Sequence, residues 1–159
     1  MASNLIIPIV NGAANALLAI NNDAKIYTTS PDNVKHNAAG YFLIKGPLSI
    51  TETRCLKFRH QLRLPFDVMY FPPDRAAADI GLLSTAAFAM LEALYQIYPA
   101  EAVEGGYLVN DRGKRGHNQS VEIDGGVVHV LTSYDLWVTT PQKKELVQSI
   151  TFTFEKQTE

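Results

Sequence analysis

Between residues 56 and 70 apolar and polar side chains alternate almost without fault. Leu56, Phe58, Leu62, Leu64, Phe66, Val68 and Tyr70 fall on one side, with His60 the one polar member of the series. Lys57, Arg59, Gln61, Arg63, Pro65, Asp67 and Met69 fall on the other. Period two over this distance predicts a β-strand with one buried face. Pro65 can donate no ladder hydrogen bond, so the strand is expected at a sheet edge or bent by a bulge. Its Lys/Arg side would then guard that edge against indiscriminate pairing and face solvent or an interface.

The period changes to 3.6 elsewhere. Ile6, Ile9, Val10, Ala13, Leu17 and Ile20 predict a helix over residues 4–20, with Pro8 in an early turn where it is best tolerated. A short strand is expected over residues 25–29, a polar loop at DNVKHNAAG (32–40), and a strand over 41–53 broken at Gly46-Pro47. That strand should pair antiparallel with the opening run through a turn near residues 54–56. After Pro72-Pro73, Asp74 is placed to cap a second helix ending near Tyr98, before Pro99. Residues 121–138 read as a hairpin around Gly125-Gly126, and LVQSITFTFEK (146–156) as a final strand. Helix, strands, helix, strands predicts an α+β fold: a mostly antiparallel β-sheet with two main α-helices on one face. No repeat or linker divides residues 1–159, so one domain is expected.

Composition adds few constraints. Of 159 residues 47% are apolar and 19% charged, and the formal net charge is −2, which argues against a dedicated nucleic-acid binder. Cys55 is the only cysteine, so neither an internal disulfide nor a Cys-based zinc site is expected, and it reads as a small, semi-buried strand residue. No Lys or Arg precedes Lys25, so the apolar N-terminus lacks the basic start of a secretory signal. No uninterrupted apolar span is long enough for a membrane helix, and a soluble chain of intracellular origin is expected.

Catalytic patterns are missing. His36, His60, His117 and His129 show no metal-ligand spacing, and His60 and His129 read as partly buried strand residues. Gly113-Lys114-Arg115 lacks the Ser/Thr and the upstream Gly of a phosphate loop. Asp124 beside two glycines reads as a turn residue rather than one of an acid–base pair with Asp135. The expectation is no catalytic residue, no cofactor and no metal.

Three features point towards assembly. Residues 76–100 carry only Asp79 and Glu92 as charges, and their apolar surface spreads beyond one stripe through Leu82, Phe88, Ala89 and Ile97. Such a helix is covered twice, either by its own domain or by a neighbouring subunit. The strand 127–137 is largely apolar on both sides, yet two helices cannot cover both faces of a sheet. Asp135 within it needs a partner, and Arg63 and His129 are the candidates. The loop 110–120 carries Arg112, Lys114, Arg115 and His117 among glycines, and is expected to be a mobile solvated tip or an arm for a phosphate backbone or acidic partner. Lys57, Arg59, Arg63, Asp67, Phe88, Asp135, Phe152 and Phe154 are the candidate interface residues.

The segments PFDVMYFP (65–72), LEALYQI (91–97) and VEIDGGVVHVLTSYDLWV (121–138), with an N-terminal helix leading into Ile26-Tyr27-Thr28, occur in a recognisable order. Together they resemble the tail terminator family of long-tailed bacteriophages and related prophage particles, most strongly over residues 58–138. Two stretches depart from the family pattern: residues 110–120 are longer than the usual connection, and 146–156 lack the usual acidic, helix-prone character. The resemblance implies a non-enzymatic virion protein that forms a homo-oligomeric ring, typically a hexamer, at the head-proximal end of the tail tube. It would stop tube polymerisation and offer a surface for head–tail joining. Implied partners are further copies of itself, the tail tube protein and a head-completion or connector protein. Genome DNA would pass only transiently through the lumen, no membrane is involved, and assembly would take place in the host cytoplasm. Other readings stay open: another connector ring component, such as a head-completion protein, or a DNA-binding module using Lys57, Arg59, Arg63 and the 110–120 loop. A small enzyme would need a pocket near His60, His129 and Asp135.

Overall fold

A computed structural model describes residues 5–29 and 39–139. The expected final strand, with Phe152 and Phe154, lies outside the described residues, as do His36 and most of the 32–40 loop.

Helix α1 (Ile7–Ile20) carries Pro8 in its first turn and buries Ile9, Ala13 and Leu17. At Gly12 it presses against the chain beyond the second helix, where a Cβ would stand 2.5 Å from the Tyr98 carbonyl oxygen. Strand β1 (Lys25–Tyr27) runs parallel to β2 (Tyr41–Lys45), and β2 runs antiparallel to β4 (Arg59–Phe71). Between β2 and β4, β3 (Thr51–Leu56) pairs with the first residues of β4, and the turn falls at Lys57-Phe58 rather than at 54–56.

β4 is therefore not an edge strand. One side of it pairs with β2 over Asp67 to Phe71 and with β3 over Arg59 to Arg63, and β10 pairs along the whole of the other side. Pro65 faces the seam between β2 and β3, where its carbonyl accepts a hydrogen bond from the Leu48 N–H at 2.8 Å. The amide and carbonyl of one strand residue point the same way. The missing N–H thus also faces the seam, and the ladder to β10 loses nothing.

Helix α2 (Ile80–Tyr95) starts later than expected because Asp79, not Asp74, caps it: the Asp79 carboxylate accepts from the Leu82 N–H at 2.8 Å. Asp74 instead accepts from the backbone N–H groups of Ala76 and Ala77 and closes a separate turn. The helix also stops short of Tyr98, because Gln96 is extended and opens β5 (Gln96–Ile97). Next comes a hairpin that the apolar pattern missed, β6 (Ala100–Val103) and β7 (Gly106–Val109). The expected basic loop is mostly strand: β8 (Lys114–Arg115) pairs with β5, and β9 (His117–Asp124) begins two residues later. Gly125 and Gly126, with φ of 57° and 75°, turn β9 into β10 (Val127–Thr139) as the sequence indicates.

The main sheet has the order β1-β2-β4-β10-β9, with β3 beside β4, and every pair except β1–β2 is antiparallel. Both helices lie on one face, giving the α+β fold. Leu17 and Ile9 of α1, Met90 and Leu94 of α2, and Leu64, Val68, Val128, Val130 and Tyr134 of the sheet form the core. Each large apolar side chain buried there contributes roughly 1.5–3 kcal/mol. On the opposite face a smaller cluster joins Leu43, Met69 and Val127 with Tyr27 and Phe71. Among the described residues no helix covers that second face of β10, whose His129, Leu131, Asp135 and Trp137 are only half-buried.

Candidate assembly surfaces

β4 and β10 are each 13 residues long, roughly 43 Å at about 3.3 Å per residue. Their Leu64–Phe71 and Val127–Tyr134 parts lie under the helices. Beyond Leu64 the pair continues as an arm with β3, and burial falls away: Leu62, Leu136 and Val138 are half-buried, and all six residues of β3 are exposed.

The base of this arm is a charged cluster. The Arg63 guanidinium donates to both oxygens of Asp135, Nε at 2.9 Å and Nη2 at 3.0 Å. His117 Nε2 stands 3.4 Å from the same carboxylate, Gln61 donates to it at 3.4 Å, and the Lys114 ammonium donates to the Asp135 carbonyl at 2.7 Å. The Asp135 side chain is 15% exposed and that of Arg63 32%. The Arg63 hydrogen bonds hold the Asp135 carboxyl below its usual range against the opposing effect of burial, with Arg63, His117 and Lys114 adding favourable charge. Burial lowers the Lys114 pKa, which Asp135 partly restores. One of the two partners suggested for Asp135 is thus correct. The other, His129, sits 3.1 Å from Asp67 instead.

Farther along the arm, Arg59 lies over the Trp137 ring at 4.7 Å and Lys57 near Phe58 at 5.3 Å. The arm therefore gathers Lys57, Arg59, Arg63 and Asp135, and joins to them Lys114 and His117 from the supposed loop. Arg115 lies apart, over Tyr95 at 5.3 Å, and Arg112 sits in an exposed turn where its backbone N–H donates to Asn110.

The second surface is the outer side of α2. Leu83, Ala87, Met90 and Leu94 face the core, while Phe88 and Tyr95, seven residues apart, are exposed on the outer side with Glu92 between them, and Leu82 is exposed on a different flank. Phe88 is 71% exposed. Leu82 and Ala89 also border an open apolar cavity of about 440 Å³ between α2, the end of α1 and β2, floored by Phe42, Tyr70 and Met90. The β6–β7 hairpin adds exposed Val103, Tyr107, Leu108 and Val109, which sequence reasoning passed over because no alternation marks them.

A protein-family model described as "Phage tail terminator protein" matches residues 8–145. Among solved structures, a chain from "Virion of native gene transfer agent (GTA) particle" is similar at 13% identity and a TM-score of 0.46, over 81% of this chain and 92% of that one. No curated protein matches the chain.

Proposed function

Because this chain belongs to the phage tail terminator family, we propose that it is a structural virion protein that assembles into a ring closing the head-proximal end of a tail tube. The observation that carries the ring is the outer side of α2, where Phe88 and Tyr95 lie exposed seven residues apart, with Leu82 exposed on another flank. A solvent side with exposed aromatics and a single charge within the helix, Glu92, suits a subunit contact. The arm supplies a second contact, reaching past the body of one subunit towards the next. In this reading one face of the ring meets the tube protein and the other a connector or head-completion protein.

The DNA-binding alternative is weaker than the sequence alone made it. Arg63 and Lys114 are engaged by Asp135, and Arg59 by Trp137, so few of the required cations are left to meet phosphates. The deciding experiment is the solution mass by light scattering, alone and with the cognate tube protein. A hexamer, or a monomer that becomes a ring on tube ends, supports the proposal. A strict monomer that ignores tube ends overturns it.

A further inference from the structure

Glu52, Cys55 and His60 bring three ligand-type atoms together on one face of the arm, all within 4.8 Å of one another. The sequence conceals this grouping. Glu52 and Cys55 are three residues apart, and strict strand alternation sends such residues to opposite faces. The register of β3 on β4 shifts between Glu52 and Arg54, leaving Thr53 as an extra residue. After that bulge Glu52 opposes Leu62 and Cys55 opposes His60, so both point to the face that His60 shares. Re-aiming a side chain is a recurrent use of β-bulges.

The spacing suits a metal ion. His60 Nδ1 stands 3.6 Å from Cys55 Sγ and 2.8 Å from Glu52 Oε2. Zinc bound to sulfur at about 2.3 Å and to nitrogen and oxygen at about 2.0–2.1 Å sets tetrahedral edges of about 3.6 Å for S···N and 3.4 Å for N···O. The first edge is already present. The second needs the Glu52 carboxylate to back away by roughly half an ångström as zinc replaces the direct contact, an easy movement for an exposed side chain. A plain Glu–His pair in water contributes at most about 1 kcal/mol, and it requires neither the thiol nor the bulge.

We propose that Glu52, Cys55 and His60 form a zinc-class metal site, with water in the fourth position, that pins β3 to β4. All of β3 is exposed, so beyond its ladder little else holds it down. The site is independent of the ring reading, and its test reads the metal directly.

The test is calorimetric titration of zinc into the full-length chain under a phosphine reductant, with cobalt as a spectroscopic probe. The expected result is one ion per chain at micromolar affinity, and a thiolate-to-cobalt charge-transfer band. Cys55→Ser should abolish that band. Cys55→Ser, His60→Ala and Glu52→Gln should each weaken zinc by at least about tenfold, while Arg54→Ala on the same strand changes nothing. Deleting Thr53 removes the bulge but leaves Glu52 two residues from Cys55 and still opposite Leu62, on the same face, so zinc binding should persist. Because β3 lies outside the core, these variants keep the wild-type melting transition without metal. Absence of micromolar zinc binding in the wild type, or equal binding by Cys55→Ser, overturns the proposal.

Discussion

One ladder of paired residues, from Val128 opposite Tyr70 to Thr139 opposite Arg59, passes through two environments. In the body half, Leu64, Phe66, Val68, Val130 and Tyr134 are buried beneath two helices, and the Tyr134 hydroxyl donates to the Leu94 carbonyl at 2.6 Å. In the arm half the same two strands carry a guanidinium–carboxylate fork and a cation–π pair, and β4 shares with β3 a cluster of ligand-type side chains. The backbone pairing is identical, so what differs is the chemistry that side chains add to it. The body is held by exclusion of water. The arm is held by directional contacts that water and salt weaken, and its surface remains available to other chains.

Substitutions should separate the two halves. Phe66→Ala in the body should cost about 3–5 kcal/mol through the cavity left under α2, read by chemical denaturation. At the junction, Asp135→Ala strands Arg63 and should cost about 1.5–3 kcal/mol, read the same way. The same carboxylate makes the junction sensitive to acid. Its folded pKa is lowered, so its contribution is complete above the ordinary carboxylate range and disappears as pH falls through the lowered value. Stability measured across that range should fall less in Asp135→Ala than in the wild type.

Arg59→Ala in the arm should cost only about 0.5–1 kcal/mol. Phe88→Glu on the outer side of α2 should change stability by less than about 0.5 kcal/mol yet abolish ring formation in light scattering. If Arg59→Ala destabilised as strongly as Phe66→Ala, the division between body and arm would be wrong.

Most of the architecture was legible from alternation and punctuation. Period two located β4, and Gly125-Gly126 located the β9–β10 hairpin, because these signals are local and survive in any tertiary context. The α2 boundary was misplaced because Asp74 and Asp79 are equally good caps, and only Asp79 is followed by residues that pack. Pro65 reads in the sequence as an edge or a bulge, because a sequence cannot reveal that two short strands meet end to end beside one long one. Cys55, expected to be semi-buried, is exposed because β3 has no layer above it. The β5–β8 pairing was invisible for a different reason: two residues from each strand meet across the end of α2, too few to carry a period. Of the candidate interface residues, the Arg63–Asp135 contact followed from charge and burial. The convergence of Lys114 and His117 on Asp135 needed the fold.

The seam at Pro65 divides β4 into two separately partnered lengths. Because β2 is zipped to one and β3 to the other, β3 can open without loosening β2. Amide hydrogen exchange should therefore occur in two waves: Thr51 to Leu56 through local opening at little free-energy cost, and Tyr41 to Lys45 only with unfolding of the whole core. A proline in the middle of a 13-residue strand thus acts as an insulator, letting the arm breathe while the body stays closed.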